Sequence, residues 1–182
     1  MTWAHRIGFR WASWRIRRRD LFTVDVRFAL SSGGEALIFL PESAEVLAAS
    51  LVVCRSMAKW FAPVRLMVLS ASRVPPTVAE AGLPVLVVPA AVNRWGLPYR
   101  PVVRRVRTMT PRVAMSLHPA FDLASAYLCV ESGAPLRIGL RGPNIGFFNL
   151  QYTWREEDRA DPAAHYGRFL EMLADLRLAA VP

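Results

Sequence analysis

Short apolar segments alternate with longer segments of helical periodicity from about residue 36 to the end of the chain. Segments of five to seven mostly apolar residues bounded by turn-forming residues predict buried strands, because a helix needs more length to bury a face. These segments are residues 36–40, 64–69, 83–88, 113–117, 136–140 and 147–153. The alternation predicts an α/β fold with a mostly parallel sheet.

Residues 113–140 show the repeat most clearly. The strand at 113–117 is followed by a segment whose apolar side chains recur at helical spacing, at Phe121, Ala124, Tyr127, Leu128 and Val130. Gly133 and Pro135 then end the helix, since glycine accepts a left-handed cap and proline cannot continue the turn. The strand at 136–140 follows at once. The unit predicts a Rossmann-like three-layer domain, with the polar turn from His118 to Asp122 at the carboxyl edge of the sheet, where such folds bind ligands.

The rest of the chain fits around this unit. Residues 22–30 alternate loosely, which predicts an edge strand or an extended lead-in. Ser43 is a candidate N-cap for a long helix from residue 44 to about 61, and a final helix is expected over about 162–179. Residues 93–112 predict a basic loop or a short helix. We divide the chain into an N-terminal arm, 1–30, and one domain, 31–182.

The arm is an amphipathic, basic segment. Trp3, Ile7, Trp11 and Trp14 recur at helical spacing, while Arg6, Arg10, Arg17 and Arg18 mostly occupy other faces. Tryptophan and arginine on different faces are typical of a helix in a membrane interface, so Trp3, Arg6, Arg10, Trp11 and Trp14 are candidate contacts with an anionic membrane surface. An arm that packs on this domain or on a partner is the alternative. Nucleic acid is disfavoured, because no recognised nucleic-acid module accompanies the charge.

Composition narrows the function classes. The net charge of +9 rests on 23 Lys and Arg residues of which Lys59 is the single lysine; arginine favours bidentate contact with phosphate or carboxylate, and a GC-rich genome explains it equally well. Cys54 and Cys129 fall on apolar faces of predicted helices, which predicts that both are buried free thiols. The three histidines lack metal-ligand spacing, so we expect no metal and no cofactor. No apolar run approaches the length that spans a bilayer, and the start has no signal-peptide core. The expected location is the cytoplasm, with peripheral attachment to the inner membrane through the arm.

Several short motifs resemble a known enzyme family. Residues 118–140, HPAFDLASAYLCVESGAPLRIGL, and residues 147–154, FFNLQYTW, resemble the end of the N-terminal half of the ADP-heptose:lipopolysaccharide heptosyltransferases, the family 9 glycosyltransferases. The matching elements are a polar turn before a helix, the small-residue step Ser132-Gly133-Ala134, and the strand Arg137-Ile138-Gly139. The resemblance spans roughly residues 36–180.

The resemblance implies half of a GT-B fold. In that architecture two Rossmann-like domains face one another, the N-terminal one binding a lipid-linked acceptor sugar and the C-terminal one the nucleotide-sugar donor. The chain ends where the second domain would begin, so we expect a binding or assembly module in lipopolysaccharide-type glycan biosynthesis that is inactive alone, because positioning the donor is most of what a transferase supplies. The alternative is a glycosyltransferase subunit that needs an oligomer or a separate partner protein to complete the cleft. Its expected ligand is a lipid-linked or phosphorylated glycan.

Candidate site residues fall at the strand ends. The family carries a Gly-Asp step after the first strand, where this chain has Glu42 and Ser43; Glu42 is either a substitute base or part of a helix cap. His118 and Asp122 form either an acid–base pair or a structural histidine beside a capping aspartate. The candidate ligand contacts are Ser43, Arg137, Arg141 and Asn144; the alternative for Arg137 is an ion pair with Asp122 or Glu131.

Overall fold

The computed structural model describes residues 2–17, 23–69, 76–79, 82, 84–88, 91–140, 146–153 and 161–179. The strands in this part of the chain are β1 Ala36–Leu40, β2 Val64–Leu69, β3 Val85–Val88, β4 Val113–Ser116, β5 Leu136–Gly139 and β6 Leu150–Gln151. The helices are α1 Trp3–Arg17, α2 Val26–Ser31, α3 Ala44–Trp60, α4 Pro76–Ala79, α5 Arg100–Arg107, α6 Leu123–Glu131 and α7 Pro162–Leu178.

All six strands form one parallel sheet in the order β3-β2-β1-β4-β5-β6. The predicted α/β class is confirmed, and the sheet is wholly parallel where the sequence indicated a mostly parallel one. The strand order runs outward from β1 in one direction and from β4 in the other. The carboxyl ends of β1 and β4 therefore flank the point where the winding reverses, and such points open a crevice in doubly wound sheets.

The sheet is covered on both faces, which explains why its strands are dense apolar runs. Successive side chains of β1 point to opposite faces. Ile38 and Leu40 join the core beneath α3 and α7, whereas Leu37 and Phe39 join the core beneath α1, α5 and α6. Because α1 contributes Ala12 and Ile16 to this second core, this helix of the arm packs on the domain.

Two expected elements differ from the structure. Residues 26–31 form helix α2 where an edge strand or extended lead-in was expected, because Asp25 accepts a hydrogen bond from the Phe28 N–H at 3.0 Å and caps a helical turn. The last strand is only Leu150–Gln151, because only these two residues pair with β5, at Ile138 and Gly139. Among the other elements, Gly133 has the left-handed φ of +73° that ends α6 as predicted.

A buried carboxylate joins α1 to α5 and α6. Glu131, at the end of α6, is 4% exposed. It accepts hydrogen bonds from the Arg107 guanidinium of α5, one of them 2.8 Å from Nε to Oε2, and lies 3.4 Å from Nε of Arg15 in α1. Two guanidinium groups therefore compensate the one carboxylate, which is the condition under which a buried charge is tolerated.

The two thiols are buried and unpaired, as predicted. Burial raises the pKa of Cys54 to about 12 and also raises the pKa of Cys129. Both thiols are therefore protonated at neutral pH and act as small apolar side chains.

Candidate functional site

A crevice of about 590 Å³ opens at the carboxyl edge of the sheet, between the turns that follow β1 and β4. The turn after β1 contributes Glu42, and the segment after β4 contributes His118, Phe121 and Asp122. The structure thus brings together the three residues for which catalysis was considered. They share one site because the strand order places β1 beside β4, although 76 positions separate Glu42 from His118. The remaining lining residues are Thr2, His5, Leu69, Val92, Gly96, Leu123 and Ala124.

His118 is the distinctive polar group of the crevice. Its Nε2 atom is buried and has no hydrogen-bond partner among the described residues. Burial lowers the pKa of His118 below its ordinary value of 6.5; the charges of Asp122 and Glu42 act in the opposite direction but are smaller influences. The imidazole is therefore neutral at pH 7, and a neutral ring nitrogen can donate or accept one hydrogen bond according to its tautomer.

Asp122 has a structural task. It is the N-cap of α6, and its Oδ2 accepts a hydrogen bond from the Ser125 N–H at 2.7 Å. No hydrogen bond joins Asp122 to His118 within the described ranges, so the carboxylate does not orient the imidazole as it would in a catalytic dyad. Of the two interpretations from the sequence, the geometry favours the capping aspartate beside a histidine.

Glu42 supplies an exposed carboxylate at the crevice wall. It lies before the N-cap of α3, which is Ser43, and Glu45 is the acidic residue of the first helical turn. Ser43 occupies the expected cap position, but its side chain makes no capping hydrogen bond. Glu42 makes no hydrogen bond to the first turn of α3 within the described residues, so its carboxylate remains available to a ligand.

The N-terminal helix closes one side of the crevice, which the sequence did not indicate. Thr2 and His5 line it, and the Thr2 hydroxyl lies 2.6 Å from Nδ1 of His5. This position depends on Gly8, where a Cβ atom would stand 2.2 Å from the carbonyl oxygen of Trp95. Only glycine lets the helix approach the backbone of the 91–99 segment so closely. The signal in the sequence is Gly8 followed by Ala12 on one helical face, a small-residue pattern that permits close packing.

Two of the other predicted ligand contacts, Ser43 and Arg137, are not among the described residues that line this crevice. Arg137, on β5, has its Nη2 3.5 Å from the Gly146 carbonyl oxygen, and its backbone N–H donates to the Asn149 side chain. Glu131, one of the partners expected for it, is held by Arg107 and Arg15. Arg141 and Asn144 lie outside the described residues. Phe121 was missed as a wall residue; it packs against Phe9 and Phe147 at ring-centroid distances of 5.9 and 5.4 Å.

Acid should destabilise the protein through His118. The unfolded chain takes up a proton as the pH falls through about 6.5, whereas the folded imidazole stays neutral until its lower pKa is reached. The free energy of unfolding should therefore fall with pH in this window, because the unfolded state binds more protons. Urea midpoints of the wild-type chain and of His118→Gln, each measured at pH 7.5 and 5.5, check this. The variant should lose less stability between the two pH values, and an identical pH dependence would contradict the assignment.

The fold and the crevice define a class: a doubly wound α/β domain with a crevice at the point where its winding reverses. Within the part of the chain that is described, no cluster of three metal-ligating side chains exists, and no helix has the length and apolarity to cross a membrane.

Comparison with family models, curated proteins and solved structures finds no match to this chain. The heptosyltransferase resemblance therefore remains a prediction from short motifs.

Proposed function

We propose that this domain is a non-catalytic binding module that takes a neutral, hydroxyl-rich ligand of the sugar type in the crevice between β1 and β4. The observation that carries the proposal is the unpartnered, buried Nε2 of His118 in a crevice whose other ionisable walls include Glu42 and Asp122. A ligand hydroxyl would satisfy this nitrogen, which otherwise leaves a buried polar group unpaired at a cost of about 1–3 kcal/mol.

The charges of the crevice favour a neutral ligand over an anionic one. No arginine or lysine is among the described residues that line it, although the chain as a whole is strongly basic. Carboxylates accept hydrogen bonds from hydroxyl groups but repel phosphate. Of the ligands that the resemblance implies, a lipid-linked or a phosphorylated glycan, the proposal therefore favours an unphosphorylated sugar moiety in the crevice.

The apolar walls suit the same ligand class. Phe121 and Leu123 follow β4, Leu69 ends β2, and Val92 follows β3. Small-molecule sites usually combine such apolar walls with a few convergent polar groups that fix orientation. An acceptor glycan, which the resemblance to the heptosyltransferase N-terminal domain implies, belongs to this class. A role in cell-envelope glycan biosynthesis at the cytoplasmic face of a membrane is part of the proposal.

Calorimetric titration of the full chain with neutral mono- and disaccharides, and separately with sugar phosphates, tests this function. We expect saturable binding of at least one neutral saccharide. Glu42→Gln should weaken that binding by roughly tenfold or more, because a hydrogen bond to a charged group contributes about 1.5–3 kcal/mol. Glu171→Gln, at an exposed position of α7, is the matched control and should bind as the wild-type chain does. Binding of sugar phosphates alone, or equal affinities of both variants, would refute the proposal.

A second candidate is a glycosyltransferase subunit that acts with another donor-binding chain. The observation in its favour is that a neutral His118 with an unpartnered Nε2 has the protonation state that a general base requires. Incubation of the pure chain with ADP- and UDP-sugars separates the candidates. Donor binding or hydrolysis by the chain alone would exclude the binding module, and activity that appears only with an added partner would support the subunit.

A further inference from the structure

Large exposed apolar side chains are concentrated on one side of the molecule. The described residues include nine of them, and six lie on α1 or on the segment that leads into α5. The six are Trp3, Ile7, Trp11, Trp14, Trp95 and Tyr99. On α1, the four side chains fall within about 80° of arc at 100° per residue, on a face separate from the buried one that carries Gly8, Ala12 and Ile16. The face is exposed even though Trp11 also contacts Tyr127 of α6, with the ring centroids 5.9 Å apart.

Positive charge surrounds this apolar face. Neither α1 nor α5 contains an acidic residue, and each contains four arginines. Arg15 and Arg107 share the buried carboxylate of Glu131. Arg100 and Arg104 have no ion-pair partner in the described ranges. They line a groove of about 730 Å³ between α1 and α5, together with Trp11 and Trp95.

We propose that α1 and α5 together form a docking face for an anionic phospholipid bilayer, which we name the α1/α5 face. It comprises the six exposed apolar residues above with Arg6, Arg10, Arg17, Arg100, Arg104 and Arg105. The tryptophans enter the headgroup region, where indole rings partition, and the arginines bind lipid phosphates bidentately.

The shape of the face favours a bilayer over a nucleic acid. Trp11 and Trp95 line the groove between α1 and α5, whereas Trp3 and Trp14, 75% and 53% exposed, are not among its described lining residues. Proteins that bind single-stranded nucleic acid place stacking aromatics along a positively charged groove that follows the backbone. A row of tryptophans on the outside of a helix with arginines beside it matches an interfacial helix.

The α1/α5 face lies next to the crevice, because the start of α1 contributes to both. Thr2 and His5, at the start of α1, line the crevice, while Trp3 and Ile7 of the same two turns face outward. Docking would place the mouth of the crevice beside the lipid headgroups. A sugar carried on a lipid would then reach His118 from the membrane surface, a step that rests on the proposed function.

Sedimentation with lipid vesicles tests the α1/α5 face on the full chain. Vesicles of phosphatidylglycerol and phosphatidylcholine should bind the wild-type chain at least tenfold more tightly than vesicles of phosphatidylcholine alone, and rising salt should weaken the binding. The double variants Trp3→Ser/Trp14→Ser and Arg100→Gln/Arg104→Gln should each lose at least tenfold in affinity. Deleting α1 is a poorer test, because it would uncover the core that Ala12 and Ile16 complete.

Matched controls lie on the opposite layer of the domain. Leu178→Ser, at an exposed apolar position of α7, and Arg55→Gln/Lys59→Gln, at exposed positions of α3, should leave vesicle binding unchanged. Thermal melts check that every variant is folded. If a variant unfolds, the proposal is tested by how the binding of the wild-type chain depends on lipid charge and on salt concentration. Three outcomes would each overturn the proposal. They are equal binding of the wild-type chain to neutral and anionic vesicles, unchanged binding by both folded double variants, and tighter binding to single-stranded RNA than to anionic vesicles. The vesicle experiment contains no saccharide, so a negative result would not contradict the proposed binding of a sugar in the crevice. His118→Gln should bind vesicles as the wild-type chain does.

Discussion

Replacing Phe39 with alanine should lower the free energy of unfolding by about 3–5 kcal/mol, the usual cost of emptying a buried phenylalanine site. Phe39 lies in β1 between β2 and β4, is fully buried, and faces the core that α1, α5 and α6 cover. Because whole domains are stable by about 5–15 kcal/mol, this loss is a large share of the total. At roughly 2–4 °C per kcal/mol for a chain of this size, Tm should fall by about 10 °C.

Urea unfolding followed by circular dichroism measures the effect of Phe39→Ala. Val52→Ala is the control, since Val52 is 39% exposed on α3. Its effect should stay within about 0.5 kcal/mol, as is usual for surface positions. A loss below about 1 kcal/mol for Phe39→Ala would contradict the central position of β1 in the sheet.

The same substitution at two helical glycines should have opposite effects. Gly8→Ala places a Cβ atom 2.2 Å from the backbone oxygen of Trp95, so α1 must move off the domain. Overpacking of this kind costs about 1–3 kcal/mol and exceeds the gain of up to about 1 kcal/mol that alanine brings to a helix. Gly167→Ala, in α7, meets nothing within 4 Å and keeps the gain. We therefore expect Tm to fall for Gly8→Ala and to rise for Gly167→Ala.

Limited proteolysis extends this comparison. If Gly8→Ala displaces α1, trypsin should cleave faster after Arg6 and Arg10 than in the wild-type chain, because local opening exposes the backbone of the helix. Gly167→Ala should leave that cleavage rate unchanged. Equal cleavage rates in all three proteins would mean that α1 does not depend on the close approach of Gly8 to Trp95.

Local sequence patterns were enough to predict most of the fold. The apolar run at Ala36–Leu40 and the Gly133–Pro135 step predict their elements because burial on both faces and helix termination leave direct marks on composition. Helix α2 was missed because residues 22–30 carry a weak alternating pattern. Asp25, three positions before Phe28, is the capping signal that identifies this helix.

The site was less predictable because it depends on contacts between distant parts of the chain. Glu42, His118 and Asp122 were singled out as residues that follow strands, and the strand order then placed them at one crevice. The contribution of Thr2 and His5 depends on how α1 docks against Trp95; Gly8 and Ala12 indicate that one face of α1 packs closely, but they do not indicate which segment it packs against. The arginine content left phosphate contact and a GC-rich genome open as explanations, and the described crevice wall contains no arginine.

The proposed role of His118 is tested most directly by nuclear magnetic resonance. The imidazole nitrogen resonances of His118 are followed while a neutral saccharide that binds the chain is added. A ligand hydroxyl that bonds to Nε2 should shift that resonance in step with the binding curve, and His118→Gln should identify the signal by its loss. His165, the histidine that is not among the described lining residues, supplies the internal control; it is buried on α7, and its ring centroid lies 5.1 Å from that of Tyr152. We predict a saturable shift at Nε2 of His118. Saccharide binding that leaves this nitrogen unshifted would contradict the proposed site.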